Sequence, residues 1–185
     1  MGKVFSDFEI DQIGFKFSGS DAYQSAECIG SYEEGMNAKV IVKKCRGIVR
    51  KKIVKGTGEG TLKISAHIPY DIYTQMYGMN LDSLIEGVKG YGENSVHPNF
   101  SLVAHVKDED GVEKYKAYPN CVIETGKASK TENGAEEVAE IEIEVSVAPD
   151  EHGQGVYEAL ADDIDESVAT TWMTAFTSDL VQKVS

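Results

Sequence analysis

The sequence lacks the features that mark membrane-spanning, secreted and disulfide-rich proteins. None of its apolar runs approaches the roughly 20 residues that span a bilayer, and the first residues, MGKVFSDFEIDQIGF, contain no apolar signal-peptide core. The 185 residues include only three cysteines, an odd and widely spaced set that indicates free thiols in a reducing compartment: Cys28, Cys45 and Cys121. We therefore expect a globular chain that neither inserts into a membrane nor depends on disulfides.

Catalytic and metal-binding patterns are equally scarce. The four histidines form no pair at zinc-ligand spacing, and there is no nucleophile elbow, CxxC pair or P-loop lysine. A glycine run at residues 56–60 could suggest a phosphate cradle, but such a loop must open a helix, whereas residues 61–64 continue as a strand. We interpret the run as a flexible hairpin tip and expect no enzymatic activity, metal or cofactor. A metal site or active site assembled from distant residues is the alternative left open.

Positive charge is absent from long stretches of the chain. There are 18 basic and 31 acidic side chains, for a formal charge of −13. Residues 35–58 carry eight cations and no acid, so the remaining residues sum to −21. Residues 131–182 contain no lysine or arginine. The acidic total argues against a broad nucleic-acid-binding surface, which needs clustered cations.

Two physical explanations fit this segregation. The basic hairpin could lie against the acidic strand of its own chain, as neighbouring strands often pair. A basic surface of one copy could instead meet an acidic surface of the next, which would steer docking. Nucleic-acid binding by the hairpin is a weaker third reading, because it lacks interleaved aromatic residues for base stacking.

Alternation of apolar and polar residues predicts a mainly β protein. The period of two is clear in four segments: residues 38–43, 61–68, 100–107 and 138–147. A turn signal at 108–111 leads into a return strand, and residues 84–91 suggest a twisted, glycine-interrupted strand. After Pro69 the apolar spacing becomes helical and predicts a short helix over residues 69–77, ended by Gly78.

We expect a single domain over residues 1–185 of four parts: an apolar N-terminal arm (1–20), a long basic hairpin (36–60), the core sheets and helix (61–148) and a C-terminal segment (149–185). Val168, Trp172, Phe176 and Leu180 recur every fourth residue, which predicts a helix over 165–183. A strand followed by a short helix is the alternative there. The fold class is therefore mainly β (α+β), a sandwich or barrel-like fold with one flanking helix and a C-terminal helical segment.

In the order of these elements, the chain resembles the major tail tube protein of long-tailed, non-contractile bacteriophages. The resemblance covers roughly residues 36–176. It lies in the strand at 61–68 that leads into the helix PYDIYTQMYG, the strand at 100–106 with its turn, the return segment YKAYPNC, the acidic strand at 140–147 and the final segment with Trp172. It implies a virion protein, made in the host cytoplasm, whose hexameric rings stack into a tube for DNA ejection.

The resemblance also implies partners and site residues. The partners would be other copies of the chain, the tape-measure protein, the tail terminator and the baseplate or distal tail proteins, with genomic DNA passing through unbound. Subunit-interface candidates are Arg46, Arg50, Lys51, Lys52, Lys55, Phe5 and Phe8. Acidic candidates for the lumen wall are Glu140, Glu142 and Glu144. The alternatives are the tube protein of a contractile injection system, or a β-sandwich binding module of a baseplate or adhesin, which requires Tyr70, Tyr73, Tyr77 and Tyr91 to face solvent.

Overall fold

The computed structural model describes residues 4–183, which form one eight-stranded antiparallel sheet with two α-helices. The elements are β1 Glu9–Phe17, β2 Gln24–Ala26, β3 Cys28–Cys45, β4 Ile48–His67, α1 Tyr70–Met76, β5 Phe100–Lys107, β6 Glu113–Ile123, β7 Ile141–Ala148, β8 Tyr157–Leu160 and α2 Glu166–Ala175. Short 3-10 turns cover Ala161–Asp163 and Ser178–Val181. The prediction of a mainly β fold is confirmed.

The sheet curls around one core. Its strand order is β2-β1-β5-β6-β7-β4-β3, with β8 paired to the first half of β6, and β3 at one edge contacts β1 near the other. The period of two sends alternate residues inward, such as Leu62 and Ile64 of β4 and Ile143 and Val145 of β7. Helix α1 closes this core with the apolar face predicted from its spacing.

A smaller core lies on the outer face of the sheet. Trp172 of α2 and the following Phe176 pack on Val103 of β5 and Ala117 of β6. The Trp172 indole N–H donates to the Lys116 carbonyl oxygen at 3.1 Å. Of the two helices in the described chain, α1 belongs to the inner core and α2 covers β5 and β6. The outer side chains of β7 are half-buried or exposed.

Three predicted elements differ in the structure. Residues 9–17 of the predicted N-terminal arm form strand β1, which was not predicted, and Ile13, Phe15 and Phe17 dock in the inner core of their own chain. A bulge between Ile10 and Gln12 shifts the pairing register and hides the alternation from inspection. Residues 84–91 form turns rather than a strand.

The C-terminal helix is shorter than predicted. It ends at Ala175 because the backbone of Phe176 is non-helical (ψ 136°) and its side chain packs in the outer core. The Phe176 carbonyl oxygen accepts a hydrogen bond from Lys16 Nζ at 3.0 Å. The alternative of a strand at residues 168–171 is also wrong, because those residues lie in α2. Strand β8, which lies within the predicted C-terminal segment 149–185, was not predicted.

Candidate assembly surfaces

The hairpin of β3 and β4 extends beyond the rest of the sheet. In β4, only the residues from Gly60 onward pair with β7. The earlier residues of β4 pair with β3 alone, from Gly56 opposite Ala38 to Ile48 opposite Cys45. We call residues 38–56 the ribbon. Every residue in it is exposed, and eight paired positions at about 3.3 Å each give a projection of about 25 Å.

The tip of the ribbon is Arg46–Gly47, not the glycine run. Arg46 has φ 51° and Gly47 φ 79°, the pair of positive φ angles that a tight two-residue hairpin turn requires. Arg46 is the one non-glycine residue with positive φ in the described chain, so its side chain is held at the far end of the ribbon at some cost in backbone strain.

The glycine run forms a bulge at the base of the ribbon. Three residues of β4, 57–59, stand opposite the single Asn37 between the pairs Met36–Gly60 and Ala38–Gly56. Gly58 has φ 77° and lies against the loop after β7, where a Cβ on Gly155 would clash with the Gly58 carbonyl oxygen. The interpretation of the run as a flexible tip is therefore wrong: these glycines allow a close backbone contact that anchors the ribbon.

The ribbon carries all eight cations of residues 35–58, including the interface candidates Arg46, Arg50, Lys51, Lys52 and Lys55. Lysine stands directly opposite lysine at two places, Lys39–Lys55 and Lys43–Lys51. No carboxylate of residues 4–183 lies within the 4.0 Å ion-pair limit of any ribbon cation. The hypothesis that this hairpin lies against the acidic strand of its own chain is therefore not supported by the described contacts.

The ribbon also exposes an unusual amount of apolar surface. Val40 faces Val54 and Ile41 faces Ile53, so β-branched pairs occupy both faces. Seven of its large apolar residues are 42–62% exposed: Val40, Ile41, Val42, Ile48, Val49, Ile53 and Val54. A two-stranded ribbon without a covering layer is marginally stable in water, so its length and composition favour a docked state.

The three acidic lumen candidates lie on one face of the sheet. Glu142 stands opposite Ser65, and Glu144 stands opposite Lys63. Glu140 precedes β7, and its carboxylate accepts a hydrogen bond from the Ser65 hydroxyl at 2.6 Å. The face is the outer one, because the residues between them point into the inner core. Whether it lines a lumen stays a prediction.

The two N-terminal aromatic candidates have different surroundings. Phe8 is 73% exposed. Phe5 is half-buried, with the Lys114 ammonium 4.4 Å from its ring centroid, and Asp7 pairs with Lys114 and with Lys116. Phe5 is therefore held by contacts within its own chain, whereas Phe8 is the one that presents apolar surface to solvent.

A polar cluster around the buried side chain of Lys116 was missed by the sequence reasoning. The Lys116 ammonium lies 3.4 Å from Asp7, 3.5 Å from Glu34 and 3.8 Å from Glu158. Tyr118 hydrogen-bonds to Glu34 and Tyr32, and its burial, followed by these neighbours, raises the pKa of Tyr118. The sequence did carry a signal for it. Lys116 and Tyr118 are two residues apart in one strand and therefore point to the same, inward face, where a buried lysine needs a charged or polar partner.

The tyrosines required by the binding-module alternative are divided. Tyr70 and Tyr91 are exposed, whereas Tyr73 and Tyr77 are 7% and 1% exposed and belong to the inner core.

Glu151, His152 and Asp179 form an exposed group of metal-ligand types, with His152 Nε2 3.1 Å from Asp179 Oδ1. Exposed groups of this kind are common without an ion, and nothing else at the site points to one.

No protein-family model matches the sequence, and comparison with curated proteins gives no match. Two solved structures are similar over most of their length. The tube-terminating cap of the anti-feeding prophage has 10% identity and a TM-score of 0.48, covering 86% of this chain and 96% of that chain. A chain of the anti-feeding prophage baseplate has 8% identity and a TM-score of 0.49, covering 86% and 97%. At these scores the likeness carries no argument about family or function.

None of the helices in residues 4–183 is long and apolar enough to cross a membrane.

Proposed function

We propose that the chain is a non-enzymatic structural subunit of a phage-like tail tube, which self-assembles into stacked rings, with six copies in each, that conduct DNA into the host. The observation that carries the proposal is the ribbon, an exposed projection of β-branched residues and cations whose charges find no carboxylate among residues 4–183. A partner that covers the ribbon would bury its apolar side chains, and acidic groups on that partner would neutralise its cations. Both effects would stabilise the docked ribbon.

The proposed partner is the chain itself, because one sequence carries both charge signs in separate regions. The ribbon is +8, while the rest of the chain is −21. Interfaces between two different surfaces of the same chain generate rings or open filaments. The ring size, the non-contractile type of tail, the virion location and the tape-measure, terminator and baseplate partners come from the sequence resemblance.

The acidic outer face gives the proposed tube a suitable inner wall. Glu140, Glu142 and Glu144 share that face, with Lys63 as a neighbouring cation. A wall with excess negative charge repels phosphate, so DNA would move along it without adhering.

Electron microscopy of the purified protein tests this proposal directly. Negatively stained rings or tubes are expected, and they should dissociate as salt rises because the ribbon charges are exposed. Reversal of three ribbon charges (Arg50→Glu, Lys51→Glu, Lys52→Glu) should abolish the polymer and leave the fold intact. The matched control reverses three exposed lysines elsewhere (Lys127→Glu, Lys130→Glu, Lys183→Glu) and should still polymerise. A wild-type chain that stays monomeric at high concentration would refute the proposal.

A further inference from the structure

Exposed large apolar side chains concentrate in two places on the described chain. Seven lie in the ribbon, and six lie between the first residue of α1 and the start of β5: Tyr70, Leu84, Ile85, Val88, Tyr91 and Val96. Elsewhere in residues 4–183 the exposed large apolar residues are Val4, Phe8 and Val138. Because concentrations of exposed apolar residues mark interaction sites, the segment 70–96 is a second candidate surface, which we call the receiver.

The part of the receiver around Gly90 and Tyr91 is held in place by the body of the protein. The Gly90 N–H donates to the Met79 carbonyl oxygen at 3.1 Å. The Tyr91 hydroxyl lies 3.1 Å from His97 Nε2, and His97 Nδ1 lies 2.9 Å from the Ile123 carbonyl oxygen of β6. The Tyr91 ring also meets buried Tyr77 edge-on. Gly90 and the exposed ring of Tyr91 are therefore held against the body of the protein, which fixes this part of the receiver in advance of docking.

The charge of the receiver is opposite to that of the ribbon. Its residues include four exposed acids, Asp71, Asp82, Glu86 and Glu93, against the one cation Lys89. The receiver thus carries −3 where the ribbon carries +8. Other acidic parts of the described chain lack this combination: the loop at 126–140 exposes a single large apolar residue, Val138.

We propose that the receiver of one copy binds the ribbon of the next copy, a contact that rests on the proposed self-assembly. The apolar side chains of the two surfaces would bury each other, and the receiver acids would neutralise ribbon lysines. Two ribbons cannot serve as each other's partner, because each is +8 and like charges would meet. Every copy donates one ribbon and offers one receiver, so the contact is head-to-tail and can propagate.

A mixing experiment with full-length chains tests this contact. The first variant, Lys43→Glu with Lys51→Glu, has a defective ribbon and an intact receiver. The second, Ile85→Arg, has an intact ribbon and a receiver that loses an apolar contact and gains a repelling cation. Each alone should sediment as a monomer. An equimolar mixture should associate, because the ribbon of the second variant fits the receiver of the first.

The matched control is Val138→Arg, which places the same cation at a similarly exposed position, 83% against 79% exposed. It should polymerise like the wild type. Hydrogen exchange of the β5 and β6 amides should match the wild type in every variant, which separates lost docking from lost folding.

The outcomes distinguish the inference from the function on which it rests. If the wild type forms tubes and Ile85→Arg does so equally well, the receiver is wrong while the tube proposal survives. If the two folded variants do not associate when mixed, the ribbon–receiver contact is also wrong. A wild type that never polymerises overturns both. Retention of a short duplex DNA by the wild type, lost in the ribbon variant, together with unchanged assembly of that variant, would assign the ribbon to nucleic acid instead.

Discussion

Lys43 and Lys51 lie directly opposite each other on the two strands of the ribbon, and Lys39 and Lys55 repeat the arrangement nearer its base. Like charges at directly opposed positions destabilise a strand pair. The isolated chain therefore has a ribbon that is weakened by its own charges, and an acidic neighbour would remove this cost. Under the proposed assembly, removing one of these opposed lysines should therefore stabilise the ribbon of the monomer and weaken the association between copies.

Replacing Lys43 by glutamate should stabilise the ribbon of the monomer and impair the polymer. The substitution turns a repelling pair into an attracting one, worth about 0.2–1 kcal/mol, and it removes a cation from the docking surface. Amide hydrogen exchange should slow across the ribbon, while sedimentation should show fewer large species. Lys130→Glu, on an exposed loop, is the control. Faster exchange in the ribbon would contradict the assigned register.

Thiol reactivity should follow the burial of the three cysteines. Cys121 is buried, and its burial raises its pKa, so it should react only after unfolding. Cys28 and Cys45 are exposed and should react rapidly in the monomer. Cys45 is next to the ribbon tip and should become protected on assembly. Single serine variants assign each signal, and a Cys45 that reacts as fast in tubes as in monomers would show that the tip stays uncovered.

Charge reversal on the acidic outer face should change DNA adhesion rather than assembly. In Glu142→Lys with Glu144→Lys, tubes should form normally but retain duplex DNA, because the wall would then attract phosphate. The retained DNA should be released as salt rises. Glu136→Lys with Glu137→Lys, on the exposed loop before β7, provides the control. Tubes of the first variant that ignore DNA would place this face away from the lumen.

Removing Trp172 should destabilise the whole domain. Trp172 is 2% exposed, contacts the rings of Tyr115 and Phe176, and donates a hydrogen bond to Lys116. Trp172→Ala should cost about 3–5 kcal/mol, measured as a shift of the urea midpoint. Thr174→Ala, at an exposed position of the same helix, should change the free energy of unfolding by less than about 0.5 kcal/mol. An unshifted midpoint for Trp172→Ala would mean that α2 lies outside the cooperative core.

Asp150 should make the C-terminal segment sensitive to acid. Its two oxygens accept hydrogen bonds from four groups: His152 N–H, Gln154 N–H, the Tyr157 hydroxyl and the Ser178 hydroxyl. Burial acts to raise the pKa of Asp150, but these bonds outweigh it and lower that pKa. A lowered pKa means that the carboxylate stabilises the fold above its ordinary pKa, near 4, and loses this effect as the pH falls through the folded-state pKa.

Asp150→Asn should therefore lower the free energy of unfolding at neutral pH by about 1–3 kcal/mol. The difference from wild type should shrink as the pH falls below about 4. Urea titrations at several pH values measure it, and Glu151→Gln, at the neighbouring exposed position, is the control. A difference that is constant with pH would show that the charge of Asp150 does not contribute.

The local patterns of the sequence were sufficient for much of the fold. Alternation identified the inward residues of β4, β5 and β7, and the change of period after Pro69 identified α1, because both signals depend only on residues close in the chain. Patterns failed where a bulge breaks the period, as in β1 and at the glycine run. They also failed at Phe176, whose carbonyl oxygen accepts hydrogen bonds from Lys16 of β1 and from Tyr23 in the turn after β1. These distant contacts end a helix that the apolar spacing of the sequence would continue.

By itself, the sequence determined that the chain is mainly β, offers no catalytic pattern and divides its charge into a basic segment and an acidic remainder. Only the tertiary structure decided that the basic segment projects beyond the sheet with lysines opposite lysines, and that residues 70–96 expose a concentration of apolar side chains. Composition and periodicity are local properties, whereas projection, register and exposure depend on which distant strands pair.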